Sequence, residues 1–553
     1  RVVVAVFENR TGDASLDNLG RLAAESVAEG LQQIGTIQVV PSSTVFQLAA
    51  SGRRSWGRDP VRAVAEATSS GLVVSGAIYL QGQTLQVRTS ITDVLASKPL
   101  YAVEPASGPR EKAMEAVDTM RERVLDIVAA RYLNPLWDLL IWEVRPPRFE
   151  VQEESLTAFQ LTGSDLPQAI VHAKHVIELD PDFVTIHYVL WIAKNNQGKY
   201  AEAEAELDIA AKMRVTPYMR RLLDWSRAND AGLNEEMYSA AREMATLAPT
   251  LLAPHWQLAM AAHFTNRPRE VVEVLRKPVE WSLRVNPGSP FGALTFLMGT
   301  AALHELGEHE EELKEARRGR GVYPDMLNLQ AYEVRALVAL GRLGEADRLI
   351  DEIQAMSTHW RFPNCCFARG TPGYVMLSAA EELRGHGHGD LSLKMAGRAV
   401  DWYKSRTGDE ANREDTRSGL GDALYQAERW DEAKSVFAKL AAEHPDNINY
   451  KGRLGTLAAR RGDRAEAERI AEELRRLGTP YIYGMHTARS ARIVALLGDK
   501  ERAVTLLREA IAQGEGNSEQ PDPYGYGFIY RHTMDLEPLH GYPPFEELIK
   551  PKG

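Results

Sequence analysis

The spacing of apolar and polar positions changes character along the 553-residue chain. Val2 to Val6 is a continuous β-branched run, the pattern of a strand buried on both faces. It stops at Phe7-Glu8-Asn9-Arg10-Thr11-Gly12-Asp13, where Asn, Gly and Asp favour a turn. From about Ser15 to Ile34 apolar residues recur at helical spacing (Leu19, Leu22, Ala23, Val27, Leu31, Ile34), and Gly35 closes the helix. Ile37 to Val40 reads as a second strand. A helix over Asp59 to Ser70 has Pro60 in its first turn, where no amide hydrogen is needed. Leu72, Val74, Ile78 and Leu80, then Gly82, then Leu85, Val87, Thr89 and Ile91 keep a period of two about a glycine turn, which predicts a hairpin. The order β-α-β-α-β-β predicts a small N-terminal α/β domain over 1–108, followed by a connecting helix and linker over 109–153.

From about residue 154 the pattern is helical and repetitive. Leu420-Gly421, Trp430, Ala433, Phe437 and Pro445 match the tetratricopeptide pattern, in which small residues let paired helices touch and large ones fill the seam. Leu454-Gly455 and Ala467 recur 34 residues after Leu420-Gly421 and Ala433, and Ala503 follows Gly498-Asp499 with Leu507 and Ile511 on the same face. Gly198 to Ala203 and Gly341 to Ala346 keep the turn between helices and its alanine, while Pro181, Pro249, Pro287 and Pro324 fall where second helices end. The expectation is an all-α solenoid of nine or ten helical pairs over 154–515, right-handed, least regular between about 215 and 400. Thr358 to Gly373 and Arg384 to Asp390 read as loops. The tail over 516–553 reads as a cap that covers the last helix pair.

Composition narrows the function. Hydrophobic residues at 44% and charged residues at 25% describe a folded chain too long for one core, and exclude wholesale disorder. A net charge of −11 argues against a nucleic-acid binder working through a broad basic surface. No run approaches the roughly 18 to 20 apolar residues of a membrane span; the greasiest, Leu133 to Val144, is short and carries Asp138 and Glu143. Cys365 and Cys366 are sequence neighbours and read as free, buried thiols.

Each chemical motif has a plainer competitor. His304-Glu305-Leu306-Gly307-Glu308-His309 suggests a zinc-protease helix, but that chemistry needs histidines four apart; at five apart the rings would diverge by about 140° on one helix. These read as turn and surface residues. His386 and His388, with Cys365, Cys366 or His359, specify no ligand geometry. Phosphate loops, nucleophile elbows and kinase signatures are absent from the sequence. The acidic clusters at Glu308, Glu310, Glu311, Glu312 and Glu315, and at Glu466, Glu468, Glu472 and Glu473, read as solvated helix faces with i,i+4 pairs. No catalytic, cofactor or metal residue is assigned. Aromatics on the first helices pack mostly within the array. The candidate lining of a concave groove is His187, Trp191, Trp225, His255, Trp256, His263, Asn328 and Tyr332.

A family resemblance adds place to this reading. Val4-Ala5-Val6-Phe7-Glu8-Asn9-Arg10-Thr11-Gly12-Asp13 with Leu16-Asp17-Asn18-Leu19-Gly20 resembles the opening of TolB-N-terminal-like or FlgO-like α/β domains. Gly71 to Tyr79 with Leu85-Gln86-Val87-Arg88 is similar to that family's hairpin, although the usual proline before Phe7 is missing. Asp535-Leu536-Glu537-Pro538-Leu539 through Phe545 and Leu548 resembles the tail that ends many such chains. The resemblance implies the extracytoplasmic, membrane-associated, periplasmic region of a bacterial signalling protein, joined upstream through an anchor to a kinase, winged-helix regulator or cyclase. The resulting expectation is a non-enzymatic module that binds a protein or peptide. Its alternatives are a structural subunit of a cell-envelope or membrane complex, and an enzyme with its site in the 358–390 region.

Overall fold

A computed structural model describes the chain except for residues 35–36, 53–58, 95–97, 133–141, 146, 250, 286–289, 325, 356–370, 478–481, 517–524 and 553. Cys365, Cys366, His359, most of the loop expected at 358–373 and most of the Leu133 to Val144 run lie outside the described residues. Contacts divide the chain into two units, Arg1–Met219 and Arg220–Gly553. The division falls inside the helical array, so the α/β domain shares a unit with the first helix pairs.

The sheet of the first unit contains β1 (Val2–Val4), β2 (Glu8–Asn9), β3 (Leu72–Gln81), β4 (Thr84–Asp93) and β5 (Lys98–Pro109), in the order β1-β3-β4-β5. β1 and β2 both run parallel to β3, pairing Val2 with Leu72 and Glu8 with Ala77. The β3–β4 hairpin is antiparallel, with Leu80 opposite Leu85 and Gly82 in the turn. Val2, Val4, Val74, Ile78 and Ile91 face helices Leu19–Gln33 and Ala113–Tyr132, whereas Val3 and Val73 face the side occupied by Val45 and Val64. Burial on both faces is why Val2 to Val4 lacks alternation.

Three elements differ from the sequence reading. Ile37 to Val40 forms a single bridge, Val2 to Val39, instead of a full strand. Helix Ser42–Gly52 follows it unannounced, and β5 adds a fourth position to the sheet. Pro99, Pro105 and Pro109 conceal β5 in the sequence; it is an edge strand, where a missing amide hydrogen is tolerated.

The motif residues of the opening segment pack on one another. Phe7 is buried, and its amide donates to the Gly20 carbonyl at 3.2 Å. A Cβ at Gly76 would overlap the Phe7 ring, so glycine there makes room for the aromatic side chain.

The connection into the array has a titratable joint. Asp126 accepts the Phe149 amide hydrogen at 2.9 Å, while Gln152 donates to the Asp126 carbonyl at 2.8 Å. Burial pushes the Asp126 carboxyl up to about 7, against an opposing pull from the Phe149 amide. The folded state therefore binds a proton that the unfolded chain releases near pH 4. This contribution to stability is present below about pH 4 and is lost as pH rises through about 7. Asp126→Asn is expected to remove it, so the gap between parent and variant urea midpoints should change with pH across that interval; parallel curves would contradict the assignment.

Ten helical pairs follow among the described residues, from Phe149–Leu161 with Leu166–Leu179 to Met485–Leu496 with Lys500–Ala512. The 34-residue signature acts as the spacing implied: a Cβ at Gly421 would come within 2.7 Å of the Phe437 ring, so glycine brings helices Glu414–Gln426 and Trp430–Glu443 together. Within the second unit the array returns on itself. A Cβ at Gly232 would lie 2.8 Å from the Gln513 carbonyl, about eight repeat lengths further along the chain.

Candidate functional site

The inner face of the second unit is occupied by the chain's own C-terminal segment. Helix Tyr526–His532 packs on Pro372–Gly385, the 3-10 turn Met534–Leu539 on Met485–Leu496, and helix Pro543–Ile549 on Lys500–Ala512. Glu305 accepts the Gly525 amide hydrogen at 2.8 Å. Asn266 donates to the Lys550 carbonyl at 2.9 Å and accepts the Lys552 amide at 2.8 Å through its own carbonyl. Most helices that meet this segment are the first members of their pairs, the set that lines the concave side of such an array, while Lys552 also reaches Glu235 on the second helix Asn234–Leu247 at 3.0 Å. The tail packs on both helices of the last pair and on helices of earlier pairs.

Apolar and ionic contacts both hold it. Tyr530, Leu536, Leu539 and Phe545 are fully buried, the two leucines and the phenylalanine each worth about 1.5–3 kcal/mol relative to exposure. Asp535 is 0% exposed. The Tyr425 hydroxyl donates to it, while Arg453 and Arg460 each approach it at 3.5 Å. Arg460 also donates to the Met534 carbonyl at 2.8 Å, and Arg453 pairs with Asp422 at 2.9 Å. Burial, reinforced by Asp535, holds the Tyr425 phenol well above its ordinary range, so it remains a donor.

A second polar cluster lies beneath helix Tyr526–His532. Gly307, with φ of +72°, turns the chain between helices Pro290–Glu305 and His309–Val322. His304 and His309 therefore belong to different helices, and their ring centroids are 4.9 Å apart. The divergence expected on one continuous helix does not apply. His304 Nδ1 lies 2.8 Å from Glu312 Oε2 and its Nε2 lies 3.2 Å from Glu382 Oε2. His386 Nε2 contacts Glu382 Oε1 at 2.8 Å. The surface placement read for His304 and Glu312 is corrected: both are buried, Glu312 completely. Burial opposes charge on His304, but Glu312 and Glu382 outweigh it and lift the imidazole to about 9. Burial likewise works against the Glu382 carboxylate, and His304, His386 and Arg335 hold it well below its usual range. Burial lowers His532 to about 4; its Nδ1 donates to the Phe528 carbonyl at 3.1 Å.

The residues predicted for the groove fall into three settings. In the first unit, buried His187 contacts Glu206 at 2.6 Å, and buried Trp191 stacks on Tyr188 with centroids 5.2 Å apart. In the second unit, Trp225, His263, Asn328 and Tyr332 are buried, His263 between the Met298 carbonyl at 3.1 Å and Glu305 at 3.4 Å. His255 and Trp256 are half-buried, with His255 Nδ1 donating to the Leu251 carbonyl at 2.6 Å. Groups that bond the tail include Asn266, Glu305, Tyr425, Arg453 and Arg460. Their sequence trace is faint: Arg453 and Arg460 are seven apart on one helix face, and Asp535 belongs to the tail motif.

The chain carries a tetratricopeptide-type helical array behind a small α/β domain. No family model matches it, and no curated protein matches it. Solved structures similar to it include a tetratricopeptide repeat protein from Parabacteroides merdae, 13% identical, covering 44% of this chain and 88% of that chain with a TM-score of 0.28. Yeast Tom70 is 13% identical, covering 74% of this chain and 94% of that chain, TM-score 0.28. The human IFIT1 dimer with PPP-AAAA is 15% identical, covering 59% and 76%, TM-score 0.28.

Proposed function

We propose that this chain is a non-enzymatic polypeptide-binding scaffold whose second unit accepts an aromatic, acidic segment along its inner face. One observation carries the reading: residues 525–552 already lie there, with Asp535 between two arginines and Tyr530 and Phe545 buried. Extended grooves in helical arrays take peptides or helices through apolar anchors with a few polar clamps, and the tail has that chemistry. The tail then acts as an internal ligand, which a partner segment of like composition displaces. The net charge of −11 favours a polypeptide over a nucleic acid.

The resemblance of residues 4–20 and 71–88 to TolB-N-terminal-like domains supports a finer reading, an extracytoplasmic sensory or scaffolding role in a membrane-tethered bacterial signalling protein. Gly20 and Gly76, which belong to that resemblance, both pack against Phe7.

A labelled synthetic peptide of residues 525–553 tests the groove. Fluorescence anisotropy should show it binding in trans to the full chain carrying Asp535→Ala, whose own tail is loosened, and binding the parent at least about tenfold more weakly, a difference of about 1.4 kcal/mol. Absence of binding to both would overturn the reading. For the finer role, cell fractionation should recover the chain with periplasmic or membrane fractions, and recovery from the cytoplasm would count against it.

A further inference from the structure

Two imidazoles converge on one buried carboxylate near the end of helix Pro290–Glu305. His304 Nδ1 and His309 Nδ1 stand 2.8 and 3.1 Å from Glu312 Oε2. The other oxygen, Glu312 Oε1, is buried without a hydrogen-bond partner. The three ligand atoms offered by His304, His309 and Glu312 lie within 4.8 Å of one another. We propose that His304, His309 and Glu312 form a binding site for a divalent transition metal of the zinc class.

The donor set suits that ion. Two imidazole nitrogens and a carboxylate make a His₂Glu site; the nitrogen–oxygen separations of 2.8 and 3.1 Å would widen slightly to reach the roughly 3.3–3.4 Å edges of a tetrahedron with bonds of about 2.0–2.1 Å. Calcium and magnesium favour oxygen-only shells, so the imidazoles select against them. Glu382 supplies the outer support: Nε2–H of His304 donates to Glu382 Oε2, so when an ion displaces the Nδ1 proton the ring is left in the tautomer whose Nδ1 lone pair binds it. Glu382 is itself held by His386. His309 keeps 19% side-chain exposure, which gives the ion a path in and a water a place in the fourth position. The three ligands all come from the array, while Phe528 of the tail packs against the His304 ring with centroids 5.0 Å apart.

The test uses the purified full chain, stripped with a chelator and titrated with Zn²⁺ against a chromophoric competitor. About one equivalent should bind. His309→Ala, at a partly exposed position, and Glu312→Gln should each weaken binding by at least about tenfold, and Glu382→Gln, a positioning residue, by about 10–100-fold. Co²⁺ should develop visible d–d absorption in the parent and not in His309→Ala, with far-ultraviolet circular dichroism unchanged. If Glu312→Gln fails to fold, His309→Ala and the cobalt spectrum decide. A parent that binds no Zn²⁺, or a folded His309→Ala with parental affinity, would overturn the proposal and leave a proton-bridged ion network. Peptide binding, measured without metal, reads the groove separately.

Discussion

Asp535→Ala is expected to destabilise the second unit by about 3–5 kcal/mol and to release the C-terminal segment from the groove. Asp535 is the buried counter-ion of Arg453 and Arg460 and accepts the Tyr425 hydroxyl hydrogen. Removing it leaves two cations and a phenol without the acceptor around which they converge. That loss exceeds the value of the pair itself, because the groups left behind keep their desolvation cost. Asp535→Asn retains one oxygen acceptor and is expected to cost less than alanine. Urea unfolding gives the stability, and hydrogen exchange over residues 526–549 reads the release. Parental protection of those amides in Asp535→Ala would sink the assignment.

Phe545→Ala should cost about 3–5 kcal/mol through the cavity it leaves. The ring is 0% exposed and belongs to the core cluster formed with Leu474, Leu507 and Ile549. Because the tail helix Pro543–Ile549 has few other large apolar anchors, exchange protection should fall from its C-terminal end first. If the tail docks as one cooperative segment, Phe545→Ala combined with Asp535→Ala should cost clearly less than the sum of the two, since the first substitution already frees the groups that the second would disturb. Strict additivity would mean that the segment's two ends dock independently.

The repeat array was readable because its determinants are local. Leu420-Gly421 and Leu454-Gly455 recur at a fixed interval, and the Gly421 contact with Phe437 lies within one helical pair. The hairpin of β3 and β4 was legible for the same reason, as alternating residues flank one glycine turn. β5 was not, since prolines tolerated only at a sheet edge erase the strand pattern. The inner-face residues were harder still. Glu312 sits in a run of glutamates that reads as solvated, and it is buried only because Gly307 folds two helices together and Glu382, seventy residues away, closes the other side of His304. Of the aromatics predicted to line the groove, Trp191, Trp225 and Tyr332 are buried.

By itself the sequence determined a small α/β domain followed by helical pairs, because periodicity, glycine turns and proline stops act over a few residues. Only the tertiary structure decided where the tail lies and which charges are buried. Those outcomes depend on contacts such as Asp535 with Tyr425 and Asn266 with Lys550, made between residues more than a hundred positions apart. No local pattern encodes such a pairing: it exists only after the array has curved enough to bring its inner face around the segment.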